Sequence, residues 1–244
     1  MRQSFLDTGK REKMANRAKR QLNGVVRKVI LTISIGTILM ILICIVLSIF
    51  VNKNEVVINR KKIDPVEKPE IVEMLLTPNK YSRPQTELSK VRGIVVHYTA
   101  NPGSTAEGNR NYFENLKDKK ATYASSHFVV GLDGEIIQCV PLTEIAYCSN
   151  HRNEDTISIE CCHPDKSGKF EDATYKSLVE LVAWLCGEYN LDKNRIIRHY
   201  DVTGKICPKY FVDHEDKWEE FKKDVFTYID EHPLYEKGSN EEKE

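Results

Sequence analysis

The chain reads as an α/β protein, because apolar runs of period two alternate with runs of helical period between about residues 70 and 232. Three observations carry that reading. SHFVVGLDGEIIQCV is a strand, an Asp-Gly turn and a second strand, the pattern of a β-hairpin. TISIECC alternates, which sets Ile157, Ile159 and Cys161 on one face and Ser158, Glu160 and Cys162 on the other. Tyr175, Val179, Val182, Cys186 and Tyr189 share one side of a helix, and Trp218, Phe221, Val225 and Ile229 share one side of another.

From the N terminus, residues 1–28 form a basic tail. They hold nine Lys or Arg against Asp7 and Glu12, so they carry +7 and leave −7 on the rest, since the whole chain has 36 basic and 36 acidic residues. Residues 29–51, VILTISIGTILMILICIVLSIFV, contain no charge and no proline. About 20 apolar residues span a bilayer as a helix, so this stretch is expected to be a transmembrane anchor. The basic flank would stay in the cytoplasm and the remainder would lie outside. A cleaved signal peptide would have a shorter apolar core, of about 7–15 residues, followed by small residues at the cut site. A lipid on Cys44 is disfavoured by the bulk of Ile43 before it.

Residues 52–69, centred on NRKKIDPVEKP, are polar and charged and read as a tether, and about 17 to 30 linker residues would reach at most roughly 60–100 Å. Residues 70–232 are the expected catalytic domain, and 233–244, with EKGSNEEKE, an acidic disordered tail. The 244 residues, 41% of them hydrophobic, suffice for one good-sized core plus such extra segments. No internal repeat is present.

Within the body, VRGIVVHYTA is a strand that closes on His97. Ser104 to Glu107, STAE, is a capping box ahead of a stripe of Tyr112, Phe113 and Leu116. In RIIRHYDVTGKICP a β-type run ends at His199, and a glycine-containing loop of seven residues leads to Cys207. Of the seven cysteines, Cys44 falls in the apolar run and six lie beyond it. Adjacent Cys161 and Cys162 point to opposite faces and are not expected to pair. A Cys139–Cys148 bridge is conceivable, and Cys161 and Cys186 read as buried free thiols.

His97, His199 and Cys207 all end or follow strand-like runs. Zinc takes imidazole nitrogen and thiolate sulfur, and a catalytic site uses three protein ligands with water in the fourth place. Two nitrogens, one sulfur and a water would fit. Gly204-Lys205 is not a phosphate loop, since Ile206 stands where Ser or Thr is needed, and no nucleic-acid partner is expected.

VVHYTA, ASSHFVV, ISIECC and above all RHYDVTGKICP, taken in that order, resemble the zinc-dependent N-acetylmuramoyl-L-alanine amidases, the group related to phage lysozyme-type amidases and animal peptidoglycan recognition proteins. The resemblance covers about residues 75–230. It implies a central mixed β-sheet flanked by helices, a zinc ion in a surface cleft, and hydrolysis of the amide joining N-acetylmuramic acid to L-alanine in peptidoglycan. Carried over, His97, His199 and Cys207 match the three metal ligands. Glu160 matches the base that deprotonates the attacking water, and its place on the polar face of TISIECC suits that role. Lys205 matches a basic residue that stabilises the oxyanion.

One residue departs from some relatives: Ser126 stands where they have a catalytic tyrosine, which shifts weight to Glu160. His127 could contact substrate, or be a histidine bonded to backbone. Tyr98, Thr99, Asn101 and Arg198 flank ligands and could touch substrate, while His151, His163, His214 and His232 belong to no motif. Loss of a ligand, most often the cysteine, turns such an amidase into a peptidoglycan-binding module without catalysis; here all three are present. A cysteine peptidase using Cys161 or Cys207 with His199 would need a thiolate at a helix N-terminus or beside its base, and both cysteines sit in or after strands. A membrane-tethered, outward-facing cell-wall hydrolase is the resulting expectation.

Overall fold

The computed structural model describes residues 62–234 and, ahead of them, Met40, Ile41 and Ile43. Those three are helical, and the rest of the expected anchor, the basic tail and residues 235–244 lie outside the described residues. Among the described residues no helix is long and apolar enough to cross a membrane.

The strands β1 (Val72–Glu73), β2 (Gly93–Tyr98), β3 (Phe128–Val130), β4 (Ile136–Gln138), β5 (Thr156–Cys161) and β6 (Ile196–Arg198) form one sheet in the order β1-β4-β3-β5-β2-β6. Only the β3–β4 hairpin is antiparallel; the other neighbours run parallel. The expected mixed sheet is therefore present. Its helices are α1 (Ala106–Lys119), α2 (Asp172–Tyr189), α3 (His199–Thr203), α4 (Lys209–Asp213) and α5 (Glu215–Glu231).

Alternation along the strands divides the sheet into two faces. Ile94, Val96, Phe128, Val130, Ile157 and Ile159 point to one, against Leu178, Leu181 and Leu185 of α2 and Phe221 and Val225 of α5. Val129 and Ile137 point to the other, against Phe113 and Leu116 of α1. Of the expected α1 stripe, Tyr112 is left exposed. The cap also differs from the STAE reading by one residue. Thr105 is the N-cap and accepts from the Gly108 amide, while the Ser104 hydroxyl turns back to the Asn101 carbonyl.

The chain leaves β2 toward α1 on one face and leaves β5 toward α2 on the opposite face. Connections that diverge from adjacent parallel strands open a crevice outside their carboxyl ends, where open α/β sheets bind ligands. His97 and Glu160 are direct partners in the β2–β5 register, at that end of both strands.

Two expectations need correction. The body begins near residue 62, inside the segment read as tether. Val66 is 3% exposed within the main core, the Ile63 amide donates to Asn190 Oδ1, and the Leu234 amide donates to the Pro65 carbonyl. Gly187 makes this possible, since a Cβ there would stand 2.9 Å from the Pro65 Cα. A lone valine among charges has no period, so composition did not reveal its docking. The second concerns sulfur: Cys139, Cys148, Cys161, Cys162, Cys186 and Cys207 are all free thiols, so Cys139 and Cys148 do not pair.

Candidate metal centre and active site

His97 reaches the site because β2 ends there, with its imidazole on the α1 side of the sheet. His199 arrives differently from the sequence reading. β6 stops at Arg198, and His199 opens the short helix α3 instead of ending a strand. The Asp201 carboxylate explains the switch, since it accepts the Arg198 amide at 2.8 Å and pairs with the Arg198 guanidinium at 2.8 Å. Arg198 is thus a clamp, also tied to the Phe211 carbonyl and to Glu215, which joins α3, α4 and α5 and leaves it none of its head for substrate.

The seven residues between His199 and Cys207 are mostly helical turn, closed by Gly204 in the left-handed region at φ 79°. The Tyr200 amide then donates to the Cys207 carbonyl at 2.9 Å. That bond folds the segment back and returns the thiol to His199.

The three side chains converge. His97 Nδ1 stands 3.1 Å from His199 Nδ1 and 3.8 Å from Cys207 Sγ, and all three residues are buried. Outward nitrogens are held separately: His199 Nε2 lies 2.8 Å from Asn150 Oδ1, and His97 Nε2 lies 3.1 Å from Ser149 Oγ. An amide oxygen only accepts, so His199 carries its proton on Nε2 and presents a bare lone pair on Nδ1. The Ser149 hydroxyl can accept from His97 Nε2, which leaves the His97 Nδ1 free to take a metal.

Two imidazole nitrogens and a sulfur facing one point are a donor set that a divalent cation would fill. Donors of a tetrahedral zinc, at about 2.0–2.1 Å for nitrogen and 2.3 Å for sulfur, are about 3.3–3.6 Å apart. The observed 3.1 and 3.8 Å bracket that spacing, so the residues fit such an ion.

Burial sets the protonation of the site. It lowers His97 well below the ordinary imidazole range, helped by the charges of His199 and Lys205, and it lowers His199, with Lys205 adding to the effect. Both rings are therefore neutral ligands at neutral pH. Burial pushes the Cys207 thiol up to about 12, with the Glu160 charge adding to the rise. A divalent cation is the partner that would draw the thiolate out.

Glu160 lies beside the trio, and its ligand atom falls within 4.8 Å of those of His97 and Cys148. Oε1 accepts from the Cys148 thiol at 3.5 Å, while Oε2 is buried with no hydrogen-bond partner. Burial raises this carboxyl to about 8, against the Cys148 hydrogen bond and the Lys205 charge, which lower it. An unpaired buried carboxylate oxygen is costly unless something at the site uses it. Lys205, exposed two residues before Cys207, lies close enough that its charge bears on His97, His199, Glu160 and Cys207.

His127 does not join them. It is 1% exposed, the Ser158 amide donates to its Nδ1 at 3.0 Å, and its Nε2 bonds the Glu144 carbonyl at 2.9 Å. Both nitrogens are spent and burial lowers the ring to about 4, so its part is to tie β5 to the 144 loop and it is not a substrate contact. Ser126, at the place of the absent tyrosine, is fully buried and donates to the Ser158 carbonyl at 3.0 Å.

Residues that sequence reasoning missed come from one loop. Cys148 bonds Glu160, Ser149 holds His97 and Asn150 holds His199, three consecutive residues on three functional side chains. CSNHRN has no period and no motif, so only the folded chain shows them.

The family model described as N-acetylmuramoyl-L-alanine amidase matches residues 87–210, half of the chain, and includes His97, Glu160, His199 and Cys207. The chain belongs to this amidase family. N-acetylmuramoyl-L-alanine amidase CwlL of Bacillus licheniformis is 35% identical over 173 residues, which are 65% of this chain and 47% of that protein. The amidase BlyA of Bacillus subtilis strain 168 is 35% identical over 168 residues, 60% of this chain and 44% of BlyA. Among solved structures, a mutant endolysin from Bacillus subtilis superposes with a TM-score of 0.55 at 29% identity, covering 64% of this chain and 98% of that one. The chain thus spans about half the length of the curated relatives it matches.

Proposed function

We propose that this member of the amidase family hydrolyses the amide between N-acetylmuramic acid and L-alanine in peptidoglycan, with zinc as its metal. The observation that carries the reading is the convergence of His97 Nδ1, His199 Nδ1 and Cys207 Sγ beside a buried carboxylate oxygen that has no partner. His97, His199 and Cys207 would hold the zinc, which would supply Lewis acidity to the scissile carbonyl and to the attacking water.

The remaining work falls to the chain. Glu160 accepts a proton from the water as the new carbon–oxygen bond forms, and it delivers that proton to the L-alanine nitrogen as the carbon–nitrogen bond breaks. Lys205 sets its ammonium toward the negative charge that develops on the carbonyl oxygen. Ser149 and Asn150 fix the ring orientation of the two histidines, and Cys148 fixes one oxygen of Glu160.

The 29–51 run supports a further part of the reading, that the enzyme is fixed to the membrane with this body outside. With the body starting at residue 62, only residues 52–61 would serve as tether, at most about 35 Å. Such an enzyme would remodel wall close to the membrane. Recovery of the protein from the soluble fraction of cells, shortened at its N-terminus, would overturn that placement.

The activity is tested by digesting purified peptidoglycan with the full chain and reading the new ends by mass spectrometry. Free lactyl carboxyls and free L-alanine amines are expected, and a chelator should abolish them until zinc is restored. New reducing sugars, or binding without cleavage in the zinc-loaded protein, would refute the reading.

A further inference from the structure

Tyr81, Tyr123 and Tyr147 pack on one another away from either core. Tyr123 is central, with its ring centroid 5.3 Å from that of Tyr81 and 5.6 Å from that of Tyr147, the latter pair edge to face at 87°. Tyr123 is 55% exposed, and none of the three is among the side chains packed against the two apolar cores. Ordinary packing therefore does not explain the cluster.

The rings are held by main chain from three segments. The Ala124 amide donates to the Tyr81 carbonyl at 3.1 Å, the Ser125 amide donates to the Tyr147 carbonyl at 3.1 Å, and the Tyr147 amide donates to Ser125 Oγ at 2.9 Å. An exposed ring, Tyr123, backed by the half-buried rings of Tyr81 and Tyr147 on a fixed backbone loses little entropy when a ligand covers it.

Its position is the second observation. Tyr147 directly precedes Cys148, Ser149 and Asn150, the residues that touch Glu160, His97 and His199. The cluster therefore borders the reacting centre within one residue of chain. Lys205 brings positive charge to the site from a different segment, and at the cluster Lys80 Nζ lies 5.0 Å from the Tyr81 ring centroid, which leaves Tyr123 and Tyr147 as its uncharged part.

We propose that Tyr81, Tyr123 and Tyr147 form a stacking platform for the sugar rings of the glycan strand, adjoining the scissile amide. This rests on the amidase reading, in which one side of the cleaved bond is a sugar and the other a peptide with carboxylates. A pyranose presents a face of C–H groups, slightly positive and apolar, that matches the negative face of an aromatic ring. The stem peptide, with its acidic groups, suits the Lys205 side instead.

The test compares two soluble substrates with the same scissile amide, a disaccharide–tetrapeptide and a lactyl-tetrapeptide that lacks both sugars. Tyr123→Ala in the full chain should lower kcat/KM for the first about tenfold relative to the second, through KM, as expected for one lost stacking contact. Tyr123→Phe keeps the ring and should restore the ratio, and Tyr112→Ala, an exposed tyrosine on α1, should leave it where it is. An unchanged ratio in Tyr123→Ala, or equal losses on both substrates, would overturn the platform and, in the latter case, point to the peptide as occupant. Failure of the wild type to cleave either substrate would count against the amidase reading, and the platform is then decided by titrating the peptide-free disaccharide: Tyr123→Ala must weaken that binding, and equal affinity rejects it.

Discussion

The two faces of the sheet are built from the same strands and do different work. Toward α2 and α5, the inward positions of β2, β3 and β5 run from Ile94 to Cys161 as hydrocarbon, aromatic ring or thiol, buried Arg198 of β6 lies beside Val96 on the same face, and Phe221 sits fully buried in a cluster with Phe211 and Trp218. Toward α1, alternate positions of the same strands carry His97, Ser158 and Glu160, and His127 is bonded into that layer. Period-two alternation thus sorts stability to one side and chemistry to the other. The difference teaches that a residue's face, more than its depth, forecasts what its loss will cost.

The largest separation is expected at Glu160. Glu160→Gln removes the proposed base and should cut kcat by about 10²–10⁴, the usual worth of a positioned proton acceptor. Zinc content and the urea midpoint should hold, because the amide still fits and a costly buried carboxyl is gone. A variant that loses its metal or its fold along with its activity would break the comparison at this point. On the opposite face, Phe221→Ala should cost about 3–5 kcal/mol of stability, as large-to-small changes of buried rings do. Its folded fraction should keep wild-type kcat. Equilibrium urea unfolding and active-site-normalised rates measure both quantities.

A subtler probe is Asn150→Ala, which removes the hydrogen-bond partner of His199 Nε2 without touching a metal donor. Loss of such a partner lowers metal affinity about 10–100-fold. Competition with a chromogenic chelator would read this directly, and unchanged affinity would show that α3 alone orients the ring.

How much of this was visible beforehand follows the same division. The strand TISIECC announced both its buried and its functional side, because Ile157, Ile159 and Glu160 alternate and alternation is a property of sequence. The donor residues were legible through their chemistry, since few arrangements want two imidazoles and a thiol after strand ends. His199 as the opening of a helix was not legible, because the switch depends on Asp201 capping the Arg198 amide. For His127 the sequence left substrate contact and backbone bonding open, and the second holds because a β5 amide and a carbonyl 17 residues away occupy both nitrogens. Cys148, Ser149 and Asn150 acquire meaning only from side chains brought to them by folding. Val66 needed the notch at Gly187 to be seen.

The faces should also differ in acid. On the α5 side Arg198 pairs with Asp201 and Glu215 around one buried guanidinium, whereas on the α1 side a depressed carboxyl, Glu114, sits in a network of its own. Arg83 pairs with Glu144 at 2.8 Å, Arg110 donates to the Met74 and Leu75 carbonyls at 2.9 and 2.8 Å, and Glu114 accepts from the Thr77 hydroxyl at 2.7 Å and amide at 3.0 Å. Burial alone would raise Glu114, but the hydrogen bonds from Lys117 and Thr77 and the charge of Arg110 overrule it and bring it down to about 2 from an ordinary 4.5. A carboxyl depressed in the folded state contributes stability that is fully present above its ordinary value and disappears as pH falls toward the folded one. Glu114→Gln should therefore be less stable than wild type at pH 7, and the gap should shrink below about pH 4.5 and close near pH 2. Urea midpoints of both proteins across that range decide it: a gap independent of pH would mean that Glu114 holds the 77 loop to α1 by packing and neutral hydrogen bonds.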